Sequence, residues 1–284
     1  MSSRAKVSLV HHSTLAIVPP IFEESVWLSL QSIRYSLRDK GYYRWPPHIN
    51  VVYPFIAPEL YNDFFPSLER EIAEIHPFRL SLTNFNTFGG FKRGVLWLEP
   101  TARSLEIDNM MESEKIFGEM YVRIQRALDN SDIPLSTKPF VPHMTVCHCE
   151  SRDDALKKMS LVSTDYSEIS FDVKELVVME RRGDDGQFHI AWRLPLLGKT
   201  ADSTSAVRVY ERFPYLPEKE EDWVRDARLG YRARAKVGKG VYGVRRPSTD
   251  SPEVIALKRA ERAQKRAERE GLGADRSQET AQQA

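Results

Sequence analysis

Two short stretches of this chain repeat one pattern. Trp45-Pro46-Pro47-His48-Ile49-Asn50-Val51 and Phe140-Val141-Pro142-His143-Met144-Thr145-Val146 each carry an aromatic residue three positions before a histidine and a proline immediately before it. An apolar residue, a short hydrogen-bonding residue and a valine then follow in both. Each histidine falls where a loop gives way to a predicted strand. Side chains at i and i+2 of a strand share one side, so His48 is expected beside Asn50 and His143 beside Thr145. Ile49 and Met144 then face the core. A lone histidine at a strand start is most often structural, and His11, His12, His76, His148 and His189 are read that way. The recurrence of the whole pattern sets His48 and His143 apart as one internally duplicated site.

The surrounding sequence supports a mixed fold. Helices are predicted over 23–39, 59–75 and 152–162, with a third in between around Phe117, Met120, Tyr121, Ile124 and Leu128; each places apolar residues at helical spacing or carries a capping signal. Strands are predicted at 15–19, 48–55, 78–85, 95–98, 141–147, 171–180 and 188–194, and Asp184-Asp185-Gly186 reads as the turn of a hairpin. Helices interleaved with hairpins argue for an α+β domain with mostly antiparallel sheets and helices packed outside. With 41% apolar and 10% aromatic residues the chain can bury a substantial core. No run of about 18 apolar residues is present, so a membrane-spanning helix is not expected. The first ten residues do not read as a secretion signal, and two cysteines only two positions apart, Cys147 and Cys149, suit a reducing compartment. A cytoplasmic or nuclear location is expected.

The chemistry of the duplicated site follows from its side chains. Imidazole titrates near pH 6.5, so a site with two rings can hold one neutral and one protonated. The neutral ring can take a proton from an attacking water or hydroxyl, and the protonated ring can give one to a leaving alkoxide. Asn50 and Thr145 can donate hydrogen bonds to non-bridging phosphoryl oxygens. Neither a metal nor a cofactor is needed for these steps, and none is expected. A metal reading of His143, Cys147, His148 and Cys149 is disfavoured, because strict strand alternation points His148 away from the other three.

These paired motifs resemble those of the 2H phosphoesterase superfamily, which includes 2′-5′ RNA ligases and cyclic phosphodiesterases. The resemblance is carried by Pro47 to Phe55 and Phe140 to Val146 and covers roughly residues 15–197. It implies a bilobal fold of two small, mostly antiparallel sheets with outer helices and a central cleft. It also implies metal-independent processing of phosphodiesters, such as 2′,3′-cyclic phosphate ends on RNA or nucleotides or 2′-5′ linkages, with His48 and His143 as the catalytic pair and Thr145 binding phosphate. Asn50 departs from the Thr or Ser usual there, but its carboxamide can still donate. Alternatives using the same histidines are an RNA-trimming exonuclease or a 2′-5′ oligoadenylate phosphodiesterase. A further one is a non-catalytic RNA-binding protein. Tyr53, Phe55, Phe91, Lys92, Lys138 and Phe140 are candidate substrate contacts.

Charge divides the chain. The first 200 residues hold 23 basic and 26 acidic side chains, whereas residues 224–269 hold 14 basic and 5 acidic. Residues 1–200 are therefore read as the phosphoesterase-like domain and 201–284 as a basic, partly helical or disordered tail able to contact RNA. Tyr210, Phe213, Tyr215, Leu216 and Trp223 look too scattered for a core of their own. Removing everything after Thr200 is expected to weaken polymer binding and to spare a mononucleotide substrate.

Overall fold

A computed structural model describes residues 9–105, 113–129, 139–199 and 206–230. Most of the basic segment 224–269 lies outside them.

Helix α1 (Glu24–Ser36) buries Val26, Trp27 and Leu30. It ends at Ser36, short of the predicted residue 39, because Arg38 adopts a left-handed backbone conformation (φ 54°) and turns the chain at once. Helix α2 (Tyr61–Ala73) buries Phe65, Leu68 and Ile72, and α3 (Ser113–Asp129) buries Phe117, Met120 and Ile124. The Ser151 hydroxyl caps α4 (Arg152–Val162) by accepting from the Asp154 N–H at 3.1 Å, as the sequence signal predicts.

The strands are β1 (Leu9–Val10), β2 (Ser13–Ile17), β3 (Ile49–Val52), β4 (Phe55–Ile56), β5 (Phe78–Gly90), β6 (Arg93–Ser104), β7 (Met144–Cys149), β8 (Ile169–Val173), β9 (Glu175–Arg181), β10 (Phe188–Pro195) and β11 (Val207–Arg212). β1 pairs with β4, and the rest form a ladder in the order β11-β10-β9-β2-β3-β7-β6-β5-β8, with every pairing antiparallel. The described strands thus make two antiparallel sheets, one of two strands and one of nine, and the larger divides into two halves, β11-β10-β9-β2-β3 and β7-β6-β5-β8. They join where Ile49 of β3 pairs with Met144 of β7.

Two predicted strands need redrawing. The segment 171–180, expected as one strand, breaks at Lys174 into β8 and β9, which belong to different half-sheets. One intervening residue spans only about 7 Å between flanking Cα atoms, so the ladder must curl back on itself at this point. The strands expected at 78–85 and 95–98 extend into one long hairpin whose ladder runs to the pair Gly90 and Arg93, leaving Phe91 and Lys92 at its tip. Gly89 takes φ 112° there, and a Cβ on Gly94 would lie 2.0 Å from the Ser151 carbonyl oxygen, so neither position accepts a side chain without rearrangement.

The main core lies between the sheet and the helices. It includes Leu30, Leu68, Ile72, Phe117 and Ile124 with Leu15, Ile49, Leu96 and Met144. A second core covers the opposite face of the first half-sheet: Ala16, Trp27, Val177, Met179, Phe188 and Ile190 pack against Phe213 and Leu216. β11 pairs with β10, and the compact unit reaches Arg228. The expected boundary at 200 therefore cuts through a folded unit. The aromatic residues that look scattered in the sequence belong to a strap, residues 206–228, that closes a core supplied by distant strands.

This packing reverses the expectation for truncation. Phe213→Ala should destabilise the fold by about 3–5 kcal/mol in urea denaturation. Removal of all residues after 205 should lower the melting temperature and abolish turnover of small and polymeric substrates alike. A truncated chain with the full-length melting temperature would show that the strap does not close the core.

Candidate active site

The pairing of Ile49 with Met144 sets the geometry of the site. Both side chains are fully buried on the core side. Alternation then places His48, Asn50, His143 and Thr145 together on the other side. Extending the antiparallel register by one residue sets His48 opposite Thr145 and Asn50 opposite His143, so the two histidines lie on a diagonal, where cross-strand neighbours are about 7–8 Å apart.

The duplication extends to the hydrogen bonds behind the rings. His48 Nδ1 lies 2.8 Å from the Pro46 carbonyl oxygen, and His143 Nδ1 lies 2.8 Å from the Val141 carbonyl oxygen. A carbonyl only accepts, so Nδ1 carries the proton in both rings and Nε2 is the basic nitrogen of each neutral imidazole. Burial pushes the His48 pKa down to about 3 against the pull of the Pro46 carbonyl, and Arg34, His143 and His148 lower it further. His143 is lowered as well, by burial first and then by His148, with the Val141 carbonyl opposing. Both rings therefore rest neutral when no anion is present.

The aromatic surroundings differ. Trp45 stacks on His48 with centroids 4.6 Å apart and on Phe188 at 3.8 Å, and Tyr53 meets it edge-on. Phe140, the matching residue of the second motif, stacks on Tyr121 instead. His143 has Phe88 edge-on at 5.0 Å, and Phe88 stacks on Trp97.

Thr14 escapes sequence reasoning, because nothing in Ser13-Thr14-Leu15-Ala16 signals a role. Its hydroxyl donates to Asn50 Oδ1 at 2.7 Å, the shorter arm of a bond whose one proton is shared with the Val52 carbonyl oxygen at 3.1 Å. That bond occupies the carboxamide oxygen and leaves the NH₂ group to act as a donor.

The candidate substrate contacts separate. Tyr53 is 40% exposed beside Trp45. Phe91 is 96% exposed at the hairpin tip with Lys92 next to it, and Phe88 on the same hairpin reaches His143. Phe140 is half-buried against Tyr121. Phe55 is fully buried in the main core and cannot touch a substrate, because β4 turns its side chain inward. Lys138 lies outside the described residues.

His148 also differs from expectation. β7 carries a bulge: Trp97 pairs with Thr145 while Leu96 pairs with Cys147, which leaves Val146 unpaired. The extra residue shifts the alternation, so Cys147 and Cys149 turn into the core and His148 turns out. Cysteines and histidine thus diverge, though not in the way alternation alone predicts. His148 Nδ1 lies 2.8 Å from Asp39 Oδ1, and Arg34 Nε and Nη2 donate to Asp39 Oδ2 at 3.0 and 2.9 Å. Burial opposes the Asp39 charge, but Arg34, His148 and the Gly41 N–H hold its carboxyl below the usual range. Arg34 Nη1 also donates to the Trp45 carbonyl at 2.8 Å, which ties the loop carrying His48 to α1.

The model of the 2′-5′ RNA ligase superfamily matches this chain over residues 22–185, a span that contains both histidine motifs. The chain belongs to this superfamily. No curated protein matches it by sequence. Among solved structures, E. coli LigT complexed with 3′-AMP is 16% identical with a TM-score of 0.43, and the alignment covers 66% of this chain and 98% of LigT. The TT0787 protein of Thermus thermophilus is 17% identical with a TM-score of 0.45, over 66% of this chain and 98% of that one. Membership in the 2′-5′ RNA ligase superfamily supports an enzyme of phosphodiesterase or ligase type. The strap at 206–228 lies beyond the matched span.

The lowered pKa of His48 predicts a pH dependence of stability. Between the unfolded value near 6.5 and the folded value near 3, the unfolded chain binds a proton that the folded chain does not. Stability therefore falls as pH drops through this window, and His48→Gln should flatten the slope by close to one proton in urea denaturation. An NMR titration of the His48 ring with a midpoint near 6.5 would contradict the assignment.

Proposed function

We propose that this superfamily member is a metal-independent phosphodiesterase acting on RNA ends or nucleotides, at a 2′,3′-cyclic phosphate or a 2′-5′ linkage, by paired-histidine general acid–base catalysis. The observation that carries the reading is the matched pair of imidazoles on one face of two adjoining strands, each with Nδ1 held by the carbonyl two residues before it.

The more strongly desolvated ring, His48, is the base. Its Nε2 accepts the proton of the attacking water or hydroxyl as the new P–O bond forms. His143 is the acid: its Nε2–H passes to the leaving oxygen as the old P–O bond breaks, so the proton taken at one ring balances the proton given at the other. His143 must first be protonated, and the negative charge of a bound phosphoryl group favours this. The Asn50 NH₂, oriented by Thr14, and the Thr145 hydroxyl donate to the non-bridging oxygens. Tyr53 flanks the His48 side, and Phe91 and Lys92 offer a base-stacking ring and a cation from the hairpin.

The departure at Asn50 favours a second reading, a protein that holds RNA without turnover. Thr14 weakens that reading, because it presents the carboxamide as the donor a hydroxyl would otherwise supply.

His48→Ala and His143→Ala should each lower turnover of a 2′,3′-cyclic nucleotide by about 10²- to 10⁴-fold, with wild-type turnover unchanged in EDTA. Unchanged turnover in both variants would discard the reading, and tight RNA binding without product would favour the second one. Product analysis on 2′-5′- and 3′-5′-linked oligomers separates cyclic-phosphate opening, 2′-5′ cleavage and exonucleolytic trimming. Thr14→Val should raise KM more than it lowers kcat, since it frees the Asn50 amide to rotate.

A further inference from the structure

The cleft-facing row of β7 does not end at Thr145. Because Val146 is bulged, His148 follows Thr145 on the same side of the sheet as His143, and it pairs with Val95 next to the pair of Trp97 and Thr145. In the register extended from the pair of Ile49 and Met144, the residue opposite Thr145 is His48, just before β3. His148 therefore lies one side-chain position beyond the scissile site, on the side away from His143. The loop between α1 and β3 closes against it: a Cβ on Gly41 would lie 3.3 Å from His148 Cε1 and 3.2 Å from Asp39 Oδ2.

This third ring is held differently from the catalytic pair. Their Nδ1 atoms meet neutral carbonyls, whereas His148 Nδ1 meets a carboxylate whose side chain is 1% exposed. Asp39 also accepts from the Gly41 N–H at 3.1 Å, from the His148 N–H at 3.2 Å and twice from Arg34, itself only 2% exposed. So much buried bonding fixes the ring plane. The Asp39 bond keeps a proton on Nδ1, so a second proton can only enter at Nε2, where it becomes a cationic N–H donor. The His148 side chain is 43% exposed, unlike the Asp39 carboxylate behind it.

We infer that His148, positioned by Asp39 and Arg34, binds a second phosphate of the substrate, adjacent to the one held between His48 and His143. The inference rests on the reading of the site as a phosphodiesterase and adds a substrate class to it: ligands carrying one phosphate more than a mononucleotide. The second phosphate comes from one of two sources, the terminal phosphate of a nucleoside bisphosphate or the internucleotide phosphate of an RNA end.

The test is equilibrium titration of the full chain with adenosine 3′-phosphate, adenosine 3′,5′-bisphosphate and a dinucleotide ending in a 3′-phosphate. A charge-assisted hydrogen bond should make one or both of the two larger ligands bind about tenfold or more tightly than the first. A gain confined to the bisphosphate assigns the terminal phosphate, and a gain with the dinucleotide assigns the internucleotide one. In His148→Asn the carboxamide can still donate to Asp39 but no longer reaches the ligand, so the affinity ratio should fall towards one with the melting temperature kept. His148→Gln places an N–H near the former Nε2 and should recover part of the ratio. An undiminished ratio in His148→Asn, or a wild-type ratio of one for both larger ligands, overturns the inference. Loss of turnover in His48→Ala and His143→Ala together with a wild-type ratio of one would sink this proposal alone. A ratio that depends on His148 in a chain without turnover would instead sink the catalytic reading and leave the subsite in place.

Discussion

The functional face of this protein depends on one backbone pairing. Ile49 and Met144 meet where the two half-sheets join, and both side chains are driven to the core side by burial. Everything polar on either flank must then take the other side, because a strand permits only two. A slip of one residue in either strand would send a histidine into the core and an isoleucine or methionine into the cleft. The large apolar side chains thus hold the register, and the polar residues inherit their placement from it. That explains why both motifs alternate strictly at this point, while β7 breaks its alternation only one residue past Thr145.

Around this symmetric centre the support is asymmetric. Trp45 stacks on both His48 and Phe188, and its carbonyl is held by Arg34. Phe188 belongs to the core that the strap closes with Phe213 and Leu216, and Gln187 donates to the carbonyls of both Tyr43 and Pro217. The position of His48 is therefore linked to the C-terminal strap through a chain of packed rings and two hydrogen bonds. His143 leans on a different element: its aromatic neighbours, Phe88 and Trp97, lie on the β5–β6 hairpin. The repeated sequence encodes the rings and their carbonyl partners, and the rest of each half has diverged around them.

What the sequence makes legible is what local periodicity and repetition carry. The amphipathic helices, the Ser151 cap, the hairpin at Asp184 to Gly186 and the facing of His48, Asn50, His143 and Thr145 all follow from neighbours a few residues apart. What escapes is non-local. No glycine or proline marks Lys174, where one apolar run divides between two half-sheets. The strap residues make an apolar face only with Trp27, Val177 and Phe188, which lie far away in sequence. Phe55 reads as an aromatic near a catalytic motif, yet β4 commits it to the core. Strict alternation misplaces His148, because its bulge is set by pairing with β6. The Thr14 bond to Asn50 likewise spans two strands.

The electrostatics of the site explain how His48, His143 and His148 share one face of the sheet. The charge of Asp39 is engaged by Arg34 and His148, so it does not offset a proton on His48. With burial added, His48 and His143 rest neutral and do not repel each other. In the proposed reaction, an anionic phosphoryl group entering between them would bring the missing countercharge. Binding the anion and protonating a ring then favour each other by the same free energy, because linkage is reciprocal. In the proposed reaction that linkage makes the acid only when substrate is present, and the deeper desolvation of His48 leaves the proton to His143. A site built from two equivalent rings thereby acquires a direction from its surroundings, although its sequence motifs are nearly the same.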